Sequence, residues 1–342
     1  MPTGIGLMGL GRIGRNIFRI LYKNEDLRLK AVSDVADPAA LAYLLRFDTI
    51  LGRFPDEVSA RDGHLYVAGR QVKMITEEKG AQTTPPWGDL GVDVVIEATS
   101  KYRTRAEAER HLAAGAKRVI LCSPPAEPAD VTIVQGVNEE QLRPEHRIVS
   151  NSSSTAHAAG PVLEILNDAF GIERAFLTTV HAFTNQQRLA DVPADDPRRG
   201  RAAGENIIPQ ETSSAELLVE LEPRFQGKLS AHSINVPVAN GSVVDLVCWH
   251  ERPVTVEAVN EVVRTAAATE RFKEVVYYED DPIVSSDILL TPYSGVYDSL
   301  ATMVLGSNVS KTLTWFDNGW GYAHRIVDLL RRFERFDKEA AQ

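Results

Sequence analysis

Cysteine and long apolar runs are what this 342-residue sequence has least of. Its two cysteines, Cys122 and Cys248, show neither a CxxC spacing nor a His/Cys cluster, which argues against a disulfide framework and a zinc site. No apolar run reaches the ~18 residues of a membrane span. The segment after Met1 has no signal-peptide pattern. We therefore expect a cytoplasmic protein with two buried or half-buried thiols.

An excess of positive charge is also missing. Lys and Arg number 37 against 47 Asp and Glu, a net charge of -10. This balance argues against a nucleic-acid partner, because such proteins usually carry basic patches. The cluster of Arg198, Arg199 and Arg201 suits a small anion better. The length fits two domains, each with its own core.

The N-terminal segment has the pattern of a dinucleotide-binding unit. A short apolar strand runs into Gly9-x-Gly11-x-x-Gly14, a helix follows, and a second strand over Leu29–Val32 leads to Asp34, 20 residues after Gly14. Gly9 would allow the tight turn, Gly11 the approach of a pyrophosphate, and Gly14 close helix packing. Asp34 would accept hydrogen bonds from a ribose diol and repel a 2′-phosphate, which favours NAD over NADP.

Strands and helices keep alternating through the first half. The strands are predicted over Val92–Ala98, Arg118–Leu121 and Val131–Gly136, with a helix over Ala106–Ala114. Buried strands separated by helices indicate a parallel sheet, whose ligands bind beyond the strand C-termini. Thr99, Ser100 and Cys122 are therefore candidate lining residues, although each fits ordinary strand-end structure as well.

The segment Ser150–His157 joins a strand to an amphipathic helix through a turn of small residues. The N–H groups and the dipole at a helix N-terminus favour an anion or a developing oxyanion, so this is a candidate nucleophile position. An ordinary Ser/Thr N-cap is the alternative. His181 ends the predicted strand Leu177–His181 and, taken alone, fits a structural histidine.

The second half has a different pattern. A long polar segment, Ala182–Gly204, predicts a function or a covering partner. The strands are predicted over 229–237, 242–249, 275–278, 302–305 and 311–316, with helices over 256–267 and 322–333. This order indicates an α+β domain with a mixed or mostly antiparallel sheet and helices on one face. We expect the last helix to pack on the first domain.

Ordered motifs across nearly the whole chain resemble the glyceraldehyde-3-phosphate dehydrogenase family, which includes erythrose-4-phosphate dehydrogenase. They are Gly9–Arg15, Phe47–Phe54, Ser150-Asn151-x-Ser153, Thr178–His181, Arg198-x-x-Arg201, Asn206–Pro209, Ser242–Leu246 and Trp315–Tyr322. The resemblance implies a Rossmann NAD-binding domain over 1–152 with the C-terminal segment 316–342, and an α+β catalytic domain over 153–315. It also implies a homotetramer, since the 182–204 segment is a subunit contact in the family.

The resemblance further implies the chemistry. In the family a cysteine thiolate attacks the aldehyde, hydride passes to NAD, and phosphate (water in some members) cleaves the thioester. Ser154 stands at the nucleophile's position and His181 at that of the base. The implied cofactor contacts are Gly9, Gly11, Arg12, Ile13, Gly14, Asp34, Thr99, Cys122, Asn318 and Tyr322, with Asn318 orienting the nicotinamide carboxamide. The implied anion contacts are Ser153, Thr155 and Thr212 for inorganic phosphate, and Thr184, Gln186 and Arg198 for the substrate's own phosphate or a shared anion pocket. Ser213, which replaces a glycine beside Thr212, belongs to the same substrate and phosphate set.

Two departures from the family pattern bear on function. Ser154 replaces the cysteine, and either an active-site Cys→Ser variant that traps a bound complex or a naturally inactive NAD-binding protein would account for it; the retained His181, Thr155 and Asn318 favour the variant. Asn235 stands where the family has an arginine against the substrate phosphate. We therefore expect weaker binding of glyceraldehyde 3-phosphate or an aldehyde with a different distal group. A third change, His157, is expected to serve core packing.

Overall fold

The computed structural model describes residues 2–78 and 83–340, so Met1, residues 79–82 and residues 341–342 of the predicted domains lie outside the described residues. The helices are α1 Arg12–Leu21, α2 Pro38–Arg46, α3 Arg105–Ala113, α4 Ser154–Phe170, α5 Ser214–Leu221, α6 Val256–Ala267 and α7 Trp320–Ala340. The strands of the first half are β1 Thr3–Met8, β2 Leu27–Asp34, β3 Phe47–Asp48, β4 Gly52–Arg53, β5 Val58–Arg61, β6 His64–Val67, β7 Arg70–Thr76, β8 Val94–Glu97, β9 Arg118–Leu121, β10 Val131–Thr132 and β11 Ile148–Ser150. Those of the second half are β12 Ile172–Ala182, β13 Ile208–Gln210, β14 Leu229–Val236, β15 Ser242–His250, β16 Val276–Glu279, β17 Gly295–Leu305 and β18 Val309–Phe316.

The first compact unit comprises Met1–Ile133, Glu140–Ser152 and Ala323–Gln342. Its sheet has the order β10-β11-β9-β8-β1-β2-β7-β6-β5, and the neighbours from β10 to β7 are parallel. The predicted parallel sheet is therefore confirmed, and the wholly buried β1, β8 and β9 are typical of a sheet covered on both faces. Arg118 of β9 forms two hydrogen bonds, at 2.8 and 2.9 Å, with Asp337 of α7.

The register of this sheet determines which residues meet at its C-terminal edge. Met8 of β1 pairs with Ser33 of β2 on one side and with Glu97 of β8 on the other. Because the three strands are parallel, the residues that follow them emerge side by side. The glycine-rich turn, Asp34 and Thr99 therefore lie at one edge.

The second unit comprises Val134–Glu139 and Ser153–Tyr322. Its sheet has the order β13-β14-β12-β15-β18-β17-β16, with parallel β14–β12 and β17–β16 pairs and antiparallel pairs elsewhere. The mixed sheet confirms the α+β prediction. Helix α4 is buried along most of its length and shares the main core with α5, α6 and the inner face of the sheet. On β12, Ala175 and Leu177 are buried while Phe176 between them is exposed, as alternation in a strand requires.

Several segments differ from the prediction. The strand predicted over Leu177–His181 begins at Ile172, and the strand predicted over 302–305 begins at Gly295. The strand expected over Val131–Gly136 ends at Thr132, because Gly136 adopts a left-handed φ of +84° and the chain turns there. The last helix is longer than expected and runs over Trp320–Ala340. Both cysteines are buried, as predicted. Within residues 2–78 and 83–340, no helix is long and apolar enough to cross a membrane.

Candidate active site

The turn between β1 and α1 has a backbone that requires glycine at two of its three glycine positions. Gly9 has φ +86° and donates its N–H to the Ser33 carbonyl at 2.7 Å. A Cβ at Gly14 would lie 2.1 Å from the Gly9 carbonyl oxygen, so any side chain there would push α1 off the turn. At Gly11 a Cβ would meet no protein atom within 4 Å. The backbone at the N-terminus of α1 is thus accessible to a pyrophosphate group.

Asp34 lies against this turn. Its Oδ2 accepts a hydrogen bond from the Leu10 N–H at 2.7 Å, and its Oδ1 accepts one from the Ala36 N–H at 2.9 Å. The carboxylate is therefore held against the glycine-rich turn by two backbone N–H groups. Arg12 and Ile13, the first two residues of α1, are half-buried.

Thr99 belongs to the same edge of the sheet, and Glu97 holds it there. The buried Glu97 accepts hydrogen bonds from both the Thr99 N–H, at 2.8 Å, and the Thr99 hydroxyl. A Cβ at Gly9 would lie 2.9 Å from the Thr99 methyl group, so the turn and Thr99 are in close contact. Cys122 donates its N–H to the Glu97 carbonyl at 2.9 Å. Burial, aided by the Glu97 charge, raises the pKa of the Cys122 thiol well above its usual range, which leaves it protonated and unreactive.

In the second unit, the N-terminus of α4 separates the roles of two neighbouring serines. Ser153 is the N-cap, since its hydroxyl accepts a hydrogen bond from the Ala156 N–H at 3.1 Å. The N-cap interpretation is therefore confirmed for Ser153. Ser154 is the first helical residue and is half-buried, and the buried Thr155 follows it. The first N–H groups of this 17-residue helix and its dipole favour negative charge beside Ser154.

His181 lies near the C-terminal end of β12 with its ring fixed from two sides. Nδ1 is 2.6 Å from the Ala182 carbonyl oxygen, and the ring meets that of Phe316 edge-on at 5.8 Å. Because a carbonyl oxygen only accepts, Nδ1 must carry the proton in this contact. In the neutral ring Nε2 then holds the basic lone pair, which is the tautomer that a general base at Nε2 needs.

The backbone N–H and carbonyl of Ala182 bring three of the predicted site residues together. Its carbonyl oxygen accepts from His181 and also from Asn235 Nδ2, at 3.2 Å. Its N–H donates to the Ser242 hydroxyl at 3.0 Å, and that hydroxyl donates to Asn318 Oδ1 at 3.3 Å. Asn235, Ser242 and Asn318 are all buried. The predicted base and the predicted nicotinamide contact are therefore connected through the backbone of one residue, Ala182.

The residue before Asn318, Asp317, fixes the chain at this point. The carboxylate of Asp317 accepts from the Gly319 and Trp320 N–H groups, at 2.9 and 2.7 Å, and from the Leu290 N–H at 2.9 Å. Asp317 thus caps the start of α7. Tyr322, in the first turn of α7, is buried and its ring lies 6.0 Å from that of His157. His157 is buried as well, which confirms its expected packing role.

The other predicted anion contacts lie in local turns. Thr184 donates its hydroxyl to Gln187 Oε1 at 3.0 Å, and its oxygen accepts from the Gln186 N–H at 3.2 Å. Thr212 shares a 2.8 Å hydrogen bond with the Ser214 hydroxyl at the start of α5. The exposed Ser213 precedes that helix without a side-chain cap bond. None of these contacts excludes a ligand, but each also has a structural use.

The three clustered arginines differ in their partners. Arg199 pairs with Asp196 at 3.4 Å, and Arg201 pairs with Asp191 at 3.1 Å. Arg198 is exposed and makes no ion pair with any carboxylate of the described ranges. Of the cluster, Arg198 therefore has the charge that is most accessible to an anion.

Sequence reasoning assigned no role to four residues that hold the site: Glu97, Gln187, Ser242 and Asp317. Asp317 had a readable signal, because an aspartate three residues before a helical run is an N-cap pattern. Ser242 had none, since its two contacts join residues 60 and 76 positions apart in the chain. Across the part of the chain that the structure describes, no group of three or more His, Cys, Asp and Glu residues is arranged to hold a metal ion.

Comparison with known proteins agrees with these features. Residues 3–105 match the family model described as glyceraldehyde 3-phosphate dehydrogenase, NAD binding domain, and residues 153–318 match that of the C-terminal domain. The chain is 44% identical over 331 residues to the glyceraldehyde-3-phosphate dehydrogenase of Streptomyces coelicolor, covering 96% of this chain and 98% of the relative. It is 46% identical to glyceraldehyde-3-phosphate dehydrogenase 1 of Streptomyces avermitilis, with the same coverage. For the enzyme of Thermotoga maritima the identity is 44%, over 95% of this chain and 97% of the relative. Both domain models and these near-full-length alignments show that the chain belongs to the glyceraldehyde-3-phosphate dehydrogenase family of NAD-dependent dehydrogenases.

Proposed function

We propose that this chain carries a site for NAD-dependent oxidation of a phosphorylated or closely related aldehyde, with Ser154 at the position of the nucleophile. The observation that carries the proposal is the location of Ser154 as the first residue of α4, where helix N–H groups stabilise an oxyanion. The tautomer of His181 gives further support. So do the relatives, at 42–46% identity, that bear the name glyceraldehyde-3-phosphate dehydrogenase.

In the cysteine-containing parent, the sulfur forms a bond to the aldehyde carbon, and the carbonyl oxygen takes up a proton. His181 then removes the proton of that hydroxyl as the carbon loses hydride, which leaves a thioester. NAD, when bound, supplies the hydride acceptor. Phosphate attacks the acyl carbon, the carbon–sulfur bond breaks, and the thiolate returns. The N–H groups at the start of α4 donate to the oxyanion in both additions.

A serine at position 154 changes the first step most. An alcohol ionises far less readily than a thiol, whose pKa is about 8.5, so His181 can produce very little alkoxide. We propose that the chain is an active-site Cys→Ser variant whose dehydrogenase rate is lower by several orders of magnitude. The intact capping of α4 and the retained His181 and Asn318 contacts support this over loss of the whole site.

The first unit would hold NAD through the glycine turn. The accessible backbone at Gly11 fits a pyrophosphate, and Asp34 would accept from the ribose hydroxyls next to it. A carboxylate at this point repels the 2′-phosphate of NADP. Thr99 and Cys122 are proposed to line the same edge.

Asn235 supports a change in substrate recognition. Its amide nitrogen donates to the Ala182 carbonyl at 3.2 Å and lies 3.5 Å from that of His181. A ligand would then meet the amide oxygen, an acceptor that gives no attraction to phosphate, where an arginine would give two charged donors. We propose weaker binding of glyceraldehyde 3-phosphate, with its phosphate left to Thr184, Gln186 and Arg198. Ser153, Thr155, Thr212 and Ser213 are proposed for inorganic phosphate.

We also propose that the chain is a homotetramer in the cytoplasm. The sheet of the second unit supports association, because its face opposite α4 exposes apolar side chains. Phe176, Met303 and Leu305 are 55%, 61% and 77% exposed. In the 182–204 segment Leu189 is 93% exposed, which also fits a subunit contact.

The test restores the thiol. Ser154→Cys is assayed for NADH formation with a panel of phosphorylated and unphosphorylated aldehydes, with and without phosphate, beside the unsubstituted chain and Ser154→Ala. We expect activity in Ser154→Cys alone, at least a thousandfold above both controls, because only the thiol ionises readily enough to act as the nucleophile. Adding His181→Asn to Ser154→Cys should remove most of that activity.

The outcomes separate the alternatives. NAD binding without activity of Ser154→Cys toward any aldehyde of the panel would contradict the oxidation proposal and favour a naturally inactive NAD-binding protein. Full preference for glyceraldehyde 3-phosphate, at the KM usual for a family member, would contradict the inference from Asn235.

A further inference from the structure

The hydroxyl of Ser242 lies between the Ala182 peptide and the side chain of Asn318. It accepts from the Ala182 N–H at 3.0 Å and donates to Asn318 Oδ1 at 3.3 Å. Ser242 is only 1% exposed, so water does not replace either partner. Both hydrogen-bonding roles of the hydroxyl are thus used within the protein.

This arrangement determines whether Oδ1 or Nδ2 of Asn318 faces the Ser242 hydroxyl. A hydroxyl that accepts from an N–H has its single proton available for one acceptor, so it selects the amide oxygen of Asn318 and disfavours the amide nitrogen. A rotation of the amide by half a turn would place Nδ2 against the second lone pair of the hydroxyl oxygen, and the buried hydroxyl proton would then lose its acceptor. The Nδ2 group is therefore directed away from Ser242.

The same hydroxyl anchors Ala182, the residue whose carbonyl holds the His181 ring. Ala182 receives the Nδ1–H of His181 on its carbonyl oxygen, at 2.6 Å, and is attached to Ser242 through its N–H. Ser242 opens β15 directly after Gly241, whose φ of +86° sets the turn into the strand. The position of Ser242 is thus determined by the backbone.

We propose that Ser242 is a positioning residue that sets the Asn318 amide toward the nicotinamide carboxamide and anchors Ala182, the residue whose carbonyl fixes His181. This inference rests on the proposed function, in which Asn318 binds the nicotinamide end of NAD. Ser242 itself contacts neither substrate nor cofactor. Its removal should therefore affect ligands that carry a nicotinamide and spare those that lack one.

The experiment compares the affinities for NAD and for ADP-ribose, which has the same adenosine and pyrophosphate but no nicotinamide, by calorimetry. For Ser242→Ala we expect the Kd for NAD to rise about fivefold, the equivalent of one lost hydrogen bond, with no change for ADP-ribose. Ser242→Thr keeps the hydroxyl and should restore NAD binding. In an Asn318→Ala background, Ser242→Ala should add less than a twofold change.

Ser310→Ala is the matched control. Ser310 is also a fully buried serine of the same sheet, bonded to His250 Nε2 at 2.7 Å, but it pairs with Cys248 near the opposite end of β15. It should leave both affinities unchanged. If Ser242→Ala does not fold, Ser242→Cys, which keeps the volume and weakens the donor, is measured instead.

Equal weakening of NAD and ADP-ribose binding, or unchanged NAD binding in a folded Ser242→Ala, would overturn the role of Ser242 and leave the proposed function intact. Binding of neither ligand by the unsubstituted chain would overturn both. Additive losses in the double variant would also overturn the inference, because Ser242 would then act independently of Asn318.

Discussion

A buried carboxyl group in the middle of α4 predicts an unusual pH dependence of stability. Glu164 is 1% exposed, and its Oε2 lies 2.7 Å from Arg224 and 3.7 Å from Arg271. Its Oε1 makes no hydrogen bond within the described residues. Burial outweighs the attraction of the two arginines and raises the pKa of Glu164 from 4.5 to about 7. The folded protein therefore holds a proton there that the unfolded chain releases.

The direction and size of the effect follow from that difference. Between pH 4.5 and 7 the folded state binds more protons than the unfolded state, so this carboxyl makes the protein less stable as the pH rises. The difference of 7 − 4.5 pH units corresponds to about 3 kcal/mol, fully developed only above pH 7. Glu164→Gln has no such titration, and its amide oxygen can still accept from Arg224. Arg224 also keeps Asp168 and Glu222 as partners, at 3.1 and 3.0 Å, so its charge is not left unpaired.

We expect Glu164→Gln to match the unsubstituted chain at pH 4, below the unfolded pKa, and to be more stable by up to about 3 kcal/mol at pH 8. Urea unfolding followed by tryptophan fluorescence measures this, because Trp249, Trp315 and Trp320 all lie in the second unit with Glu164. Glu222→Gln is the control. Burial acts to raise the pKa of Glu222, but hydrogen bonds from Arg224 outweigh it and lower that pKa, so this variant should lose stability at pH 8. Strong destabilisation of Glu164→Gln at pH 8 would refute the reasoning, since the ion pair would then outweigh burial.

Two further predictions concern the glycine turn and its carboxylate. Gly11→Ala should fold normally but lose at least tenfold in NAD affinity, because its methyl group meets no protein atom and projects to where the pyrophosphate would lie. Gly14→Ala should also lower the melting temperature, since its Cβ would lie 2.1 Å from the Gly9 carbonyl oxygen. Thermal unfolding with and without NAD separates the two, and an unchanged affinity in Gly11→Ala would contradict the proposed pyrophosphate position. Asp34→Asn should reduce the preference for NAD over NADP by roughly tenfold through loss of charge repulsion. Calorimetry with both cofactors measures it, and an unchanged ratio would mean that Asp34 does not face the ribose.

The parts of the fold that depend on local chain geometry could be predicted from the sequence. The glycine spacing predicted the β1–α1 turn because this turn leaves no room for a Cβ at Gly9 or Gly14. The continuous apolar strands predicted the parallel sheet. The hairpin of β5 and β6 had a readable signal that was not used, the dipeptide Asp62-Gly63. In the structure these two residues have φ values of 50° and 68°, the type I′ pattern of a tight hairpin.

The parts that depend on distant contacts could not be predicted. Nothing in the residues near Ala182 shows that its N–H meets Ser242, 60 positions away, or that its carbonyl meets Asn235 from the neighbouring strand. Thr99 depends likewise on the buried Glu97, which the sequence shows only as one charge in an apolar strand. Side-chain identity suggested the chemistry of these residues, whereas strand register determined their partners.

The support around Ser154 argues that binding and chemistry are separable in this chain. The Ser153 cap, the His181 contact with Ala182 and the Ser242–Asn318 bond all form without any contribution from the Ser154 side chain. Exchanging sulfur for oxygen at that position therefore removes the nucleophile's reactivity and leaves these contacts in place. Under the proposed function, such a site would bind its ligands and turn them over slowly, and we expect the bound complex to accumulate. The same independence explains why restoring one atom at position 154 is expected to be sufficient to recover the reaction.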